Sequence, residues 1–336
     1  MIQAQPETVL SVEELCVDYV TDRGPVRAVD RVSLEVARGE FLGIVGESGC
    51  GKSTLLFAIA RLLSPPAEIT SGAVRFNGRD MVAMRDEELR HLRWREYSVV
   101  MQSAMNALNP VMTIGAQLKD VIHAHDHMGA REIGERSREV LRLVGIDPVH
   151  LRSYPHQLSG GMRQRAMIAM ALVFTPELVI MDEPTSALDV VAQRSLMVQI
   201  KQLQRKIGFA AIFVTHDMSL VSHFSDRLAV MYAGQVVEIG DTRRLFAEPK
   251  HPYTAGLMGS FPSITGPIEP LVGIGGAPPD LAHPPAGCRF HPRCPRVMPR
   301  CSVDNPDFYN QEKDLVRCFL YDGRAAGAER VSQLDH

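Results

Sequence analysis

The sequence carries little net charge for its size: 36 Lys and Arg stand against 39 Asp and Glu, a formal charge of −3 over 336 residues. A protein that neutralises a phosphate backbone needs a basic footprint, so nucleic acid is not expected as a main partner. No segment approaches the roughly 20 apolar residues of a spanning helix. Met1 to Leu10 has neither the basic stretch nor the apolar stretch of a secretory signal, and the chain reads as one that stays in the cytosol. No repeat occurs at a solenoid period. The 45% hydrophobic content is enough for one large core or two modest ones.

The cysteines lack the C-x2-C knuckles of a zinc ribbon. Cys16 and Cys50 lie early, whereas Cys288, Cys294, Cys301 and Cys318 are crowded near the end in a C-x5-C-x6-C-x16-C arrangement. In a reducing compartment such clustering suggests metal rather than disulfides. Four thiolates suit either zinc or an iron–sulfur cluster, and thiols that only pack remain the plain alternative.

What the sequence does contain is an α/β pattern. From Val9 to Val36, β-branched residues in alternation and a turn at Asp22-Arg23-Gly24-Pro25 predict antiparallel strands. Phe41-Leu42-Gly43-Ile44-Val45 is a continuous apolar run, expected of a strand covered on both faces, and it feeds a Gly-rich loop and a helix over Ser53 to Leu63. Between Gln102 and Pro176 the reading is mostly helical, a lobe inserted in the α/β core. Apolar strands are expected at Leu178 to Met181, Ala211 to Thr215 and Arg227 to Tyr232, with a hairpin strand at Gln235 to Ile239. Strands alternating with helices imply a largely parallel sheet. Past Asp241 the character shifts: Pro and Gly become dense from Pro262 to Pro299 and regular periodicity is lost, which suggests a small appended domain tied down by its cysteines. Asp322 to His336 is polar and expected to fray.

Gly46-Glu47-Ser48-Gly49-Cys50-Gly51-Lys52-Ser53 satisfies the P-loop pattern G-x-x-x-x-G-K-[ST], between a buried strand and a helix start. Glycines let successive backbone N–H groups curl around an anion, and the following helix, including Thr54, adds the positive end of its dipole. Lys52 is expected at the β- and γ-phosphates and Ser53 at Mg²⁺. A Gly-rich turn that matches by chance is the competing reading. Against it, Asp182 and Glu183 follow four apolar residues at the carboxyl end of a strand, where an open α/β sheet places its ligands. Asp182 can hold Mg²⁺ and Glu183 can orient the attacking water. Two adjacent acids are more often solvated, but ending a buried strand in them is costly unless a cation or phosphate uses them.

Leu158-Ser159-Gly160-Gly161-Met162-Arg163-Gln164 resembles the signature of ATP-binding-cassette (ABC) ATPases. By itself Ser-Gly-Gly could be a loop and an N-cap. The resemblance implies a P-loop NTPase core of ABC type with an antiparallel β subdomain and a helical lobe at about 102–176, together forming residues 1–240. It also implies a head-to-tail dimer in which Ser159, Gly160, Gly161 and Asp189 contact the ATP held by the other subunit. Gln102 resembles the Q-loop glutamine that reaches Mg²⁺, Ser186-Ala187-Leu188-Asp189 the D-loop, and His216 the switch histidine, while Tyr19 is placed like the aromatic that stacks on adenine. Met162 departs from the Gln common at that place in cassettes.

His251-Pro252-Tyr253-Thr254 and Gly287-Cys288-Arg289-Phe290-His291-Pro292-Arg293-Cys294-Pro295 resemble the tail of dipeptide and oligopeptide importer ATPases, making 241–336 a C-terminal domain of that type. That resemblance implies ATP hydrolysis coupled to solute uptake at the cytoplasmic face of a membrane, with two permease subunits, a second cassette (self or sister) and, indirectly, an extracytoplasmic binding protein as partners. Peptide is the expected solute, with nickel, opines or oligosaccharides as alternatives. The resemblance also implies a [4Fe-4S] cluster on the four late cysteines, with zinc as the alternative. Their distance in sequence from every ATP motif suggests a structural or docking role. A non-transport cassette ATPase or a P-loop kinase are the competing functions, but the first usually carries fused cassettes or coiled arms and the second an acceptor lid in place of the signature. His123, His125 and His127 alternate in a helical stretch, so they are expected on a solvated surface; oxidation or alkylation of Cys50 would block the loop, although the resemblance gives that position only the role of a small residue.

Overall fold

The computed structural model of the chain describes residues 7–102, 107–186, 188–260, 273–311 and 314–323. Two sheets form the frame. The smaller is antiparallel and contains β1 (Thr8–Thr21), β2 (Gly24–Ala37), β4 (Ala67–Phe76) and β5 (Arg79–Asp80), in the order β2-β1-β4-β5. The larger runs β11-β12-β10-β9-β3-β8-β7-β6, from β3 (Phe41–Val45), β6 (Tyr97–Val100), β7 (Leu178–Asp182), β8 (Ala210–Val214), β9 (Arg227–Tyr232), β10 (Gln235–Asp241), β11 (Tyr309–Gln311) and β12 (Asp314–Val316). Strands β9, β3, β8, β7 and β6 pair in parallel, and β10, β12 and β11 extend that sheet antiparallel.

The helices are α1 (Lys52–Ile59), α2 (Asp86–Leu92), α3 (Ile114–His125), α4 (Ala130–Leu143), α5 (Gly160–Ala171), α6 (Val190–Ile207), α7 (Met218–Phe224), α8 (Thr242–Ala247) and α9 (Pro252–Gly259). Every residue of β3, β7 and β8 is buried, as continuous apolar runs require when both faces are covered. The period of two divides these strands between two cores. Phe41, Val179, Met181 and Phe213 pack with α3, α4, α5 and α6, while Leu42, Ile44, Ile180 and Ile212 pack with α1 and the antiparallel sheet. The sheet is thus the shared wall between the helical lobe and the β subdomain.

Three expectations need correction. The helix expected over Ser53 to Leu63 stops at Ile59, where Arg61 takes a left-handed backbone (φ 53°). Strands β4 and β6 were not foreseen. β4 has its apolar pattern interrupted by Thr70, Ser71 and Gly72 (φ +90°), where a Cβ would come within 2.5 Å of Glu14 O, and it is held by pairing with the distant β1. His125 is not solvated: it is half-buried, with ring centroids 6.2 Å from Trp94 and 6.3 Å from Phe174, and burial lowers its pKa. His123 and His127 are exposed.

Beyond Asp241 the chain joins the larger sheet through β12, with Glu238 opposite Val316 and Ile239 opposite Leu315. Asp322, expected to fray, accepts from Arg300 at 2.8 Å, and 324–336 lie outside the described residues. Among the described residues no helix is long and apolar enough to cross a membrane.

Candidate active site

The phosphate loop leaves β3 at Gly46 and enters α1 at Gly51. Both glycines are required where they stand. Gly46 has φ +153°, and a Cβ there would lie 2.1 Å from Met231 O; Gly51 has φ +102°, and a Cβ would lie 2.3 Å from Ala28 O. The left-handed Gly51 is the N-cap of α1, which has no side-chain cap, so the first N–H groups of the helix remain available to an anion. Lys52 Nζ donates to the carbonyls of Gly46 (2.8 Å) and Glu47 (2.9 Å), folding the ammonium back over the loop.

A cavity of about 450 Å³ opens above this loop. Tyr19, Gly46, Ser48, Gly49, Gly51, Lys52, Ser53, Thr54, Gln102, Glu183 and His216 line it, so the structure brings together most of the residues singled out in the sequence. Tyr19 Oη and Thr54 Oγ1 share a hydrogen bond of 3.2 Å, which orients the tyrosine at the mouth. Ser53 Oγ donates to Asp182 Oδ1 at 3.2 Å. Burial raises the pKa of Asp182, the Ser53 hydrogen bond opposes this, the Glu183 charge adds to it and Lys52 lowers it. A buried carboxylate beside a hydroxyl, with the Gln102 amide lining the same cavity as that hydroxyl, offers oxygen donors that fit a hard cation such as Mg²⁺.

Glu183 sits just past β7 in a left-handed conformation (φ 43°), uncommon for a residue with a side chain, and its N–H donates to Val214 O at 3.0 Å. Two groups grip its carboxylate. Gln102 Nε2 donates to Oε2 at 2.9 Å, and His216 Nδ1 lies 3.2 Å from Oε1. Gln164, in α5, donates to Pro184 O, connecting the signature helix to the residue after Glu183.

Ser159, Gly160, Gly161 and Asp189 do not line this cavity. Ser159 caps α5, accepting from Met162 N at 3.3 Å, and Asp189 caps α6, accepting from Ala192 N at 2.9 Å; both are exposed. Ala187 lies outside the described residues. Glu47 and Cys50 belong to the loop but not to the cavity wall. The Cys50 thiol is buried, and that burial raises its pKa, which disfavours the reactive thiolate.

The late cysteines are all free. Burial raises the pKa of Cys288 to about 11 and of Cys318 to about 12, and their neighbours' charges add to the effect. Among the described residues no group of three or more His, Cys, Asp or Glu is arranged to hold a metal ion, so the expected zinc or iron centre gains no support from this geometry.

The sequence reading missed the contacts that the C-terminal region makes with the site. Leu281 lines the cavity, Tyr253 Oη accepts from Glu47 N at 3.0 Å, and Arg293 forms a two-point ion pair with the Glu47 carboxylate. Tyr253 and Arg293 thus meet the loop from 206 and 246 positions away. The signal lay in the His251-Pro252-Tyr253-Thr254 and Arg289 to Cys294 strings, which marked the tail without showing where it docks.

A P-loop facing two acids, a glutamine and a histidine, with a second helix N-terminus presented outward, defines an ATP-hydrolysing cassette. Comparison narrows this. Residues 29–186 match the ABC transporter family, and residues 237–301 match the oligopeptide/dipeptide transporter C-terminal region. The dipeptide transport ATP-binding protein DppD of Bacillus subtilis is 44% identical over 326 residues, 96% of this chain and 97% of that one. The oligopeptide transport ATP-binding protein OppD of Escherichia coli is 42% identical over 308 residues, 91% of each chain. A dimeric ATP-binding cassette in a post-hydrolysis state with ADP and Pi superposes with a TM-score of 0.62 at 29% identity, covering 70% of this chain and 99% of its own. The chain belongs to the ABC transporter ATPases, in the group that carries the oligopeptide/dipeptide transporter C-terminal region.

Proposed function

We propose that this enzyme couples ATP binding and hydrolysis to uptake of dipeptides or oligopeptides. The carrying observation is that Gln102, Glu183 and His216 converge over the phosphate loop in a chain whose relatives, matched along more than nine-tenths of its length, are dipeptide and oligopeptide transport ATP-binding proteins.

In this reading Tyr19 stacks on adenine, and the loop N–H groups from Ser48 through Thr54 and Lys52 hold the phosphates. Ser53, Asp182 and Gln102 would hold Mg²⁺, which when bound neutralises charge on the transferred phosphoryl group. Glu183 accepts the proton of the attacking water, and His216, exposed and bonded to Glu183, holds that carboxylate in place. Ser159, Gly160, Gly161 and Asp189 complete the site of a second cassette, self or sister; exposure of Ser159 and Asp189 supports this. Two permease subunits would anchor the dimer at the cytoplasmic face of the membrane, and an extracytoplasmic binding protein would deliver the solute.

We also propose the division into residues 1–240, the nucleotide-binding unit, and 241–336, the tail unit. A [4Fe-4S] cluster on Cys288, Cys294, Cys301 and Cys318 remains a narrower proposal. Its four thiolates bind separate irons and so need not converge on one point as ligands of a single zinc must.

Reconstituting the chain with permeases and a binding protein, and measuring ATP-dependent uptake of labelled di- and oligopeptides, tests the reading. Uptake of peptide that stops with Glu183→Gln is expected. ATP-dependent uptake of nickel, an opine or an oligosaccharide without peptide would overturn the peptide assignment, and ATP hydrolysis that never couples to uptake would overturn transport.

A further inference from the structure

Glu47, in the phosphate loop, is gripped through all three of its polar groups, N–H, carbonyl and carboxylate. Its carbonyl accepts from Lys52 Nζ at 2.9 Å, an anchor internal to the loop. The other two come from the C-terminal region. Its N–H donates to Tyr253 Oη at 3.0 Å, and its carboxylate accepts from Arg293 Nη1 at 2.8 Å and Nη2 at 3.0 Å. Both partners lie beyond residues 29–186 that match the cassette family.

Neither partner is free to relax. Tyr253 is fully buried, its ring centroid 4.6 Å from that of Tyr232 and 5.4 Å from that of Phe290, so its hydroxyl has one place to go. Its own N–H is fixed by His251 Nδ1 at 3.0 Å, and the N–H groups of Lys250 and His251 donate to the fully buried Glu238 at 2.8 and 2.9 Å. The Arg293 side chain is 6% exposed, and its remaining donors are spent on Gly275 O (2.8 Å), Tyr232 Oη (3.3 Å) and Ile274 O (3.4 Å). A planar fork held on both sides in this way fixes the orientation of the carboxylate it meets.

We infer that Tyr253 and Arg293 are positioning residues for ATP binding: they hold the phosphate loop in its anion-ready shape through Glu47, so the C-terminal region is a built-in clamp on the nucleotide site. The inference rests on reading residues 46–53 as the phosphate loop. A loop pre-shaped before the ligand arrives does not have to be ordered at the expense of binding, and releasing the clamp returns that cost to the affinity. Phosphates contact the loop before and during the chemical step alike, so the loss falls on binding more than on turnover.

The test uses the full chain for MgATP affinity by calorimetry, and the assembled transporter for KM and kcat. Tyr253→Phe removes one oxygen and keeps the ring, and is expected to weaken binding and raise KM by about fivefold. Arg293→Gln is expected to do so by about tenfold, with partial rescue by Arg293→Lys, which keeps the charge without the fork. In both, kcat should move less than twofold, and near-ultraviolet circular dichroism should report an intact fold. Adding Arg293→Gln to Glu47→Gln should cost nothing further, because both remove one ion pair. Lys52→Ala separates the two layers of the argument. If it too leaves binding intact, the phosphate-loop reading fails. If it abolishes binding while folded Tyr253→Phe and Arg293→Gln bind MgATP like wild type, the clamp alone is overturned. Full additivity of Glu47→Gln and Arg293→Gln would likewise overturn action through Glu47.

Discussion

Gln102 donates from Nε2 to Oε2 of Glu183 at 2.9 Å, so the residue leading into the helical lobe is bonded to the carboxylate that faces the phosphate loop. The two carboxylate oxygens of Glu183 have separate partners. Oε1 faces His216 and Oε2 faces Gln102.

Glu183→Gln keeps the size and one acceptor oxygen but removes the carboxylate proposed as the base. ATP binding is expected to persist while turnover falls on the order of a hundredfold or more, the usual contribution of a positioned general base. Single-turnover hydrolysis with nucleotide retention measured on the same sample checks this. Hydrolysis near the wild-type rate would move the base elsewhere.

Ser159 and Lys52 should fail at different sites of a dimer. Lys52→Ala is expected to weaken ATP at its own loop by at least about tenfold, as loss of a charged hydrogen-bond donor does. Ser159→Arg should instead impair the loop of the partner. Mixed dimers carrying one substitution per subunit distinguish the cases by how many of the two sites still bind a fluorescent ATP analogue. Damage by Ser159→Arg confined to its own chain's loop contradicts head-to-tail assembly.

The parallel core and the nucleotide site were legible because buried strands and phosphate loops are written locally. Phe41 to Val45 needs no distant partner to read as a strand, and Gly46 and Gly51 announce a backbone that other residues cannot adopt. β4 was not legible, since Thr70, Ser71 and Gly72 interrupt its apolar pattern and its pairing with the distant β1 is what makes it a strand. His125 looked like its exposed neighbours because nothing local foretells Trp94 and Phe174 beside it. The clamp on Glu47 escaped for the same reason: Tyr253 and Arg293 approach it only after β9, β10 and β12 have folded the tail back along the sheet.

His251 gives the tail a pH dependence that can be read. It is fully buried, and burial lowers its pKa from 6.5 to about 3. Below pH 6.5 the unfolded chain binds a proton here and the folded chain does not, so stability falls as pH drops through the window from 6.5 towards 3, by about 1.4 kcal/mol per unit at full effect. Glu238, whose pKa is raised from 4.5 by burial, acts in the opposite direction at pH values above 4.5, equally in wild type and variant. His251→Asn retains an N-cap acceptor for Tyr253 N and removes the titration. Denaturant midpoints from pH 6.5 to 5.5 should fall less steeply for the variant than for the wild type. Equal slopes would show that His251 does not titrate on unfolding.

The late cysteines make the last prediction, and the choice of measurement decides whether it means anything. Resistance of a thiol to alkylation is often read as metal protection, but Cys318, pushed up to about 12 by burial, would react slowly at neutral pH with no metal at all. Elemental analysis of anaerobically purified full chain is therefore the readout. About four irons per chain and a brown colour are expected if the cluster proposal holds. Stoichiometric zinc with negligible iron would overturn it in favour of a single ion, and negligible amounts of either would leave the four as packing thiols. With the cluster present, Cys294→Ser should remove the iron and also raise KM for ATP, because the neighbouring Arg293 grips Glu47. Loss of iron with an unchanged KM would mean that the grip on the phosphate loop is held by the Tyr232, Tyr253 and Phe290 rings without help from the cysteines.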